Sequence, residues 1–173
     1  MKNLNAKAIV QIALLIAVGI ILNNFLTIQA PVVRTVNFGF LPIAIIAMLY
    51  GPLLAGVAGA VGDVLGFMMV PAMGPFFPGF TLSAFMTGVI YGLFIYKKSS
   101  LTRIVIAVAV VTVVVRMGLN ILWLSMMWEE AFLALLPPRV IAALVMVPIQ
   151  VLCIRMAASE RFCAILRPKA AAS

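Results

Sequence analysis

Residues 41–70 read LPIAIIAMLYGPLLAGVAGAVGDVLGFMMV, an apolar stretch whose one charge is Asp63. As a single helix, at about 1.5 Å per residue, it would be about 45 Å long. That exceeds the roughly 30 Å hydrocarbon core of a bilayer unless the helix is steeply tilted. Gly51-Pro52 lies inside it, and the residue before a proline is pushed away from helical geometry. The stretch therefore reads as two helices meeting near Tyr50-Gly51-Pro52.

The basic residues support that division. The remaining apolar segments are roughly 8–26, 81–96, 102–127 and 139–158, and the positive charges gather at their flanks: Lys2 and Lys7, then Lys97, Lys98 and Arg103, then Arg155, Arg161, Arg167 and Lys169. With the amino terminus inside, one span in 41–70 would put Lys97 and Lys98 outside, whereas two put every cluster inside, as the positive-inside rule requires. The expectation is an all-α membrane protein: a compact six-transmembrane-helix bundle with both termini cytoplasmic and a single membrane domain over 1–173. Its helices run over 7–26, 39–51, 52–70, 81–96, 102–127 and 138–158, followed by a basic cytoplasmic tail, 159–173. Residues 41–50 are short for a span. That helix must begin earlier, be protected by neighbours, or cover only part of the bilayer.

Composition agrees. Of 173 residues 66% are apolar and 9% charged, against roughly 25% charged in soluble domains. Residues 104–115 carry no charge at all. The net charge of +8 would point to nucleic acid in a soluble protein, but here it sits on membrane flanks and no nucleic-acid partner is expected. Residues 1–25 superficially resemble a signal peptide, yet no small-x-small cleavage site follows, so they read as a retained helix. Cys153 and Cys163 are the only cysteines and there is no histidine, which excludes histidine-based triads, zinc sites and proton relays and leaves no disulfide expected on the cytoplasmic side. Glu129-Glu130 reads as a solvated turn. With neither a G-x-S-x-G nor a phosphate-binding G-x-x-x-x-G-K motif, the chain is not expected to be an enzyme, and any ATP hydrolysis belongs to another polypeptide.

Small residues recur at four-residue intervals: Gly51, Ala55 and Gly59; Ala58, Gly62 and Gly66; Gly88 and Gly92. Such stripes let helix backbones approach closely in lipid. Ala13 and Ala17 make the same pattern on the first helix, where spacing alone favours packing inside the bundle over docking of a partner helix.

Three stretches fall on the outer side: 27–40, 71–80 and 128–138. The first, TIQAPVVRTVNFGF, carries Arg34 and Phe38; the second, PAMGPFFPGF, holds three prolines with Phe76, Phe77 and Phe80 and is too irregular for a helix. Together they read as a lid over a binding cavity. Beneath it, Arg116, Asn120 and Trp123 are spaced i, i+4 and i+7 and share a helix face. Arg116 lies about 16 Å below the outer end, near the bilayer midplane. Arg139, behind Pro137-Pro138, is expected at the outer mouth. A charge at midplane depth is costly and marks a functional candidate. Asp63 lies at similar depth, so an Asp63–Arg116 ion pair stapling two helices weighs equally with ligand binding. Guanidinium forks, an amide and flat aromatic faces suit a planar, hydrogen-bonding, anionic small molecule.

The segments FLPIAIIAMLYGP, FFPGFTLSAFMTGVIYGLF and RMGLNILWLSMMW, followed by LLPPR, resemble in order and spacing the folate-specific S components of energy-coupling factor (ECF) transporters. The resemblance implies a multi-pass cell-membrane subunit that captures folate from outside with high affinity. It further implies delivery by reorientation in the lipid bilayer with a separate transmembrane coupling subunit and two cytoplasmic ATPases. The chain itself would hold no cofactor, the ATP and Mg being used by the ATPases. The family's A-x-x-x-A, matched by Ala13 and Ala17, docks the coupling subunit, which reverses the preference from spacing. On this reading Trp123 with Phe38, Phe76 and Phe80 sandwich the ligand rings, Asn120 bonds the pterin edge, and Arg34, Arg116 and Arg139 serve carboxylates or polar ring atoms. Two rivals remain: a self-sufficient proton-coupled secondary transporter using Asp63, and an S component for another vitamin. Against the first stand the short chain and the lack of an internal repeat; against cationic thiamine stand the three arginines.

Overall fold

A computed structural model describes residues 6–25, 38–69, 76–97, 99–128 and 132–159. All regular structure among them is helical: α1 (Ala6–Phe25), α2 (Phe40–Tyr50), α3 (Pro52–Met69), α4 (Pro78–Ile95), α5 (Leu101–Val110), a π-helical segment (Val111–Leu119), α6 (Asn120–Trp128) and α7 (Phe132–Ala157). The run from α5 through the π segment into α6 is one apolar rod. Among the described residues it is one of five helices long and apolar enough to cross a membrane, the others being α1, α3, α4 and the 139–157 part of α7.

The break inside 41–70 falls at Gly51, whose φ of 93° lies in the left-handed region that only glycine enters at little cost. Its N–H still closes α2 on the Ala47 carbonyl at 3.1 Å. Pro52 then opens α3 at the position where a missing N–H costs nothing. The same rule corrects an expectation further on. Pro78 occupies the start of α4, so Pro78, Gly79 and Phe80, expected in an irregular loop, form the first turn of a helix. At the other end of the chain α7 begins at Phe132 and continues through Pro137 and Pro138, earlier than the expected 138. The leucines and alanine of FLALL are good helix formers and carry the helix up to the prolines. Arg139 consequently sits two turns inside α7 instead of at its start.

With 11 residues, α2 is about 16 Å long, half a bilayer core. It is tolerated because it is interior: no α2 residue is exposed, and Ala44, Ile46 and Ala47 are essentially sealed. Helices α1, α3, α4 and α7 pack around it, which satisfies the demand that a non-spanning backbone be covered by protein. On the side of the Gly51 junction, the Tyr50 hydroxyl donates to Gln11 Oε1 and ties α2 to α1.

The tightest seam joins α3 to α4. A methyl group on Gly88 would overlap the Ala55 carbonyl, and one on Gly92 would overlap the Pro52 backbone. The Ala58, Gly62 and Gly66 stripe behaves differently: a Cβ on Gly62 would stand 3.7 Å from Ile16, and one on Gly66 3.9 Å from Ile20. That stripe leaves space, and the space belongs to a cavity.

Candidate functional site

Between α1, α2, α3, α4, the π segment and α7 lies a cavity of about 360 Å³, inside the roughly 300–1,000 Å³ range of small-molecule sites. Its apolar wall comes from Ile20 of α1, Phe40 and Ile43 of α2, and Phe67 of α3, while the Gly62–Gly66 face supplies room. Its polar groups are few: Asn23, Asp63, Ser83, Thr87, Thr112, Arg116, Asn120 and Arg139.

Arg116 projects from the π segment. The Asn120 N–H reaches back to the Val115 carbonyl, the wide i to i+5 closure that frequently marks functional sites inside helices. Arginine carries five donors and no acceptor, so the amide atom of Gln150 that faces it is oxygen. In that orientation Gln150 Oε1 accepts from Nη1 at 3.2 Å and Nη2 at 2.9 Å. Arg139 makes a long contact of 3.4 Å from Nη1 to the Arg116 carbonyl. Helix α7 thus holds both the side chain and the backbone of Arg116.

Asp63 engages a different partner. Thr81 Oγ1 donates to its Oδ2 at 2.8 Å, so the Asp63–Arg116 staple is not formed. Both groups face the same cavity without cancelling each other. Asn120 Oδ1 is buried at the cavity wall and has no hydrogen-bond partner, an acceptor with full desolvation cost and no compensation.

The aromatic groups divide. Phe80 and Phe67 line the cavity. Phe76 lies off it, its ring edge-on to Phe67 at 5.3 Å. Trp123 is also off the cavity. Its Nε1 donates to Ser83 Oγ at 3.1 Å, and its ring packs on Phe77, which in turn meets Phe80 at 6.0 Å. The 3.6-residue period behind the expected shared face does not hold across the widened turns, so Arg116 and Asn120 face the cavity while Trp123 turns onto α4. Phe38 packs against Phe40 at 6.3 Å and is likewise behind the lining. Arg34 lies outside the described residues, as do most of the 27–40 stretch, 70–75 and 129–131, the segments on which the expected lid depends.

Residues 7–158 match the family described as ECF transporter, substrate-specific component. The chain belongs to that family. It is therefore a multi-pass cell-membrane protein and a substrate-binding transport subunit, not an enzyme. This S component is 44% identical over 142 residues to the folate transporter FolT of Clostridium novyi (strain NT), covering 82% of this chain and 80% of that one. It is 39% identical over 148 residues to FolT of Leuconostoc mesenteroides subsp. mesenteroides, covering 82% and 78%. A crystal structure of FolT bound with folic acid superposes with a TM-score of 0.80 at 38% identity, covering 87% of the S component and 92% of the solved chain.

Several cavity residues of the S component escape the sequence reading: Asn23, Phe67, Ser83, Thr87, and Gln150 behind Arg116. Ser83 and Thr87 stand four residues apart on one face of α4, but two small hydroxyl residues in an apolar run are a weak signal. Gln150 carries the same signal as Asn120, a lone amide in an apolar run.

Because the Trp123 ring packs behind Ser83 and Phe77, Trp123→Phe is expected to cost about 1 kcal/mol of stability through the lost Nε1 hydrogen bond. Ligand affinity should stay within a few-fold. Thermal unfolding of the ligand-free S component and a binding titration check both, and a thirtyfold loss of affinity would place the indole against the ligand.

Proposed function

We propose that this chain is a high-affinity folate-binding S component of an ATP-driven ECF importer, capturing folate from outside. The observation that carries the reading is the cavity itself. Two guanidinium groups, an unpartnered amide oxygen and phenylalanine faces meet in one chamber, in a fold close to that of a FolT holding folic acid. Folate combines a planar pterin, an aromatic linker and a glutamate with two carboxylates, so it asks for flat faces, paired donors and cations together.

On this reading Arg116 and Arg139 donate to carboxylates or ring oxygens and Asn120 accepts from the pterin edge. Phe80 supplies a ring face, backed by Phe77 and Trp123, while Phe38 and Phe76 support the second rank and Arg34 serves from the outer stretch. Both termini lie in the cytoplasm, and the outer stretches close over the ligand. Delivery needs a transmembrane coupling subunit and two ATPases that use ATP and Mg, since no ATPase site is assigned to this chain. Calorimetric titration of the purified chain with folate, thiamine and pantothenate tests the assignment. Tight one-to-one binding of folate alone is expected; a folded sample that ignores folate would overturn it.

Ala13 and Ala17 support the coupling role. Both are exposed on α1, whereas Leu15, Ile16 and Ile20 of the same helix line the cavity. The double variant Ala13→Leu, Ala17→Leu is expected to bind folate normally and to lose most uptake in proteoliposomes containing the coupling module. Unimpaired uptake would remove these alanines from the docking surface. Uptake by the chain alone, driven by a proton gradient, would instead favour the self-sufficient transporter, with Asp63 as its proton carrier.

A further inference from the structure

We infer that Gln150 is a positioning residue for ligand binding, fixing which edge of the Arg116 guanidinium the cavity sees. The inference rests on the reading that Arg116 contacts folate. Gln150 is fully buried on α7 and is not part of the cavity wall. It cannot touch a ligand there; it touches Arg116.

The geometry of that contact is selective. One oxygen accepts from both terminal nitrogens, at 3.2 and 2.9 Å, so it occupies the end of the guanidinium where the two inner N–H bonds converge. Three donors remain: an outer N–H on Nη1 that points away by itself, and, on the other flank, the Nε–H with the neighbouring outer N–H of Nη2. The latter two form the side edge, two parallel donors matched to a planar pair of acceptors such as a carboxylate or a ring nitrogen beside a carbonyl. A second property follows from the amide being neutral. It satisfies a deeply buried cation without neutralising it, whereas a carboxylate at the same place would form a closed ion pair and cancel the charge. With Asp63 engaged by Thr81, the positive charge of Arg116 stays available to an anion.

A purely structural role for Gln150, satisfying a buried cation and nothing more, would have the same consequence with arginine or lysine at 116. Positioning would not. Folate affinity and ligand-free thermal unfolding are therefore to be measured for the wild type, Gln150→Leu, Arg116→Lys and the double variant, with Gln150→Met replacing the leucine variant if that one does not fold. Lysine has no fork to orient, so it removes the reason for positioning while keeping a cation. The expected result is a loss of tenfold or more for Gln150→Leu beside Arg116, shrinking to less than threefold beside Lys. Equal losses in both backgrounds, or no loss beside Arg116, would overturn the inference while leaving the folate assignment intact. Failure of both the leucine and methionine variants to fold would assign Gln150 to folding and overturn it as well. A folded wild type that does not bind folate would remove the functional reading and this inference with it.

Discussion

Arg116→Ala is expected to weaken folate binding by about 2 kcal/mol or more, roughly thirtyfold. Two losses add. The ligand loses a charge-assisted pair of donors, which is worth about 1.5–3 kcal/mol when buried. Gln150 Oε1, now without its two donors, becomes an unpaired acceptor in a sealed position. Stability should move less than affinity, because removing a deeply buried cation also removes its desolvation cost. Titration of the variant, compared with its ligand-free unfolding temperature, separates the two effects. Near-normal affinity would take Arg116 out of the site, while Arg116→Lys should fall between the wild type and alanine.

The second large effect concerns the α3–α4 seam. Gly88→Ala places its new methyl group on the Ala55 carbonyl, and Gly92→Ala on the Pro52 backbone. Flexible side chains can yield at such contacts, but backbone cannot without separating the helices. Overpacking of this kind typically costs about 1–3 kcal/mol per site. For a chain of this size that corresponds to a fall of about 2–10 °C in unfolding temperature for each variant. The double variant is expected not to be recovered folded. Gly66→Ala provides the opposite sign: its Cβ would meet Ile20 at 3.9 Å, ordinary contact, and replacing a helical glycine by alanine removes up to about 1 kcal/mol of conformational cost. Thermal unfolding in detergent measures all three. A stable Gly88→Ala would mean that α3 and α4 are not in backbone contact at this point.

Much of the fold was legible because bilayers impose hard constraints. Gly51-Pro52 announces a chain break, and long apolar runs announce the helices between such breaks. The site was legible where depth alone speaks, at Arg116 and Asn120. It was not legible where the backbone departs from the ordinary helix. No residue in VTVVVRMGL advertises π geometry, and that local widening sends Trp123 to α4. Position in a helix also misled at PAMGPFFPGF, where three prolines suggest a loop although Pro78 is placed as helix starts prefer. The partner of Asp63 was missed for another reason: charge suggests charge, while in the structure a threonine hydroxyl one helix away reaches it first.

The half-length of α2 bears on how the protein is made. A segment of 11 residues is too short to cross the bilayer as a span by itself, and none of the α2 residues is exposed in the complete bundle. The sharp left-handed turn at Gly51 joins it directly to α3, which is long and apolar enough to insert. During biosynthesis the two are therefore expected to enter the bilayer together, with α3 as the anchor. The interior helix would then reach its place as α1, α4 and α7 close around it, and the chamber that α2 helps to wall is expected to form late.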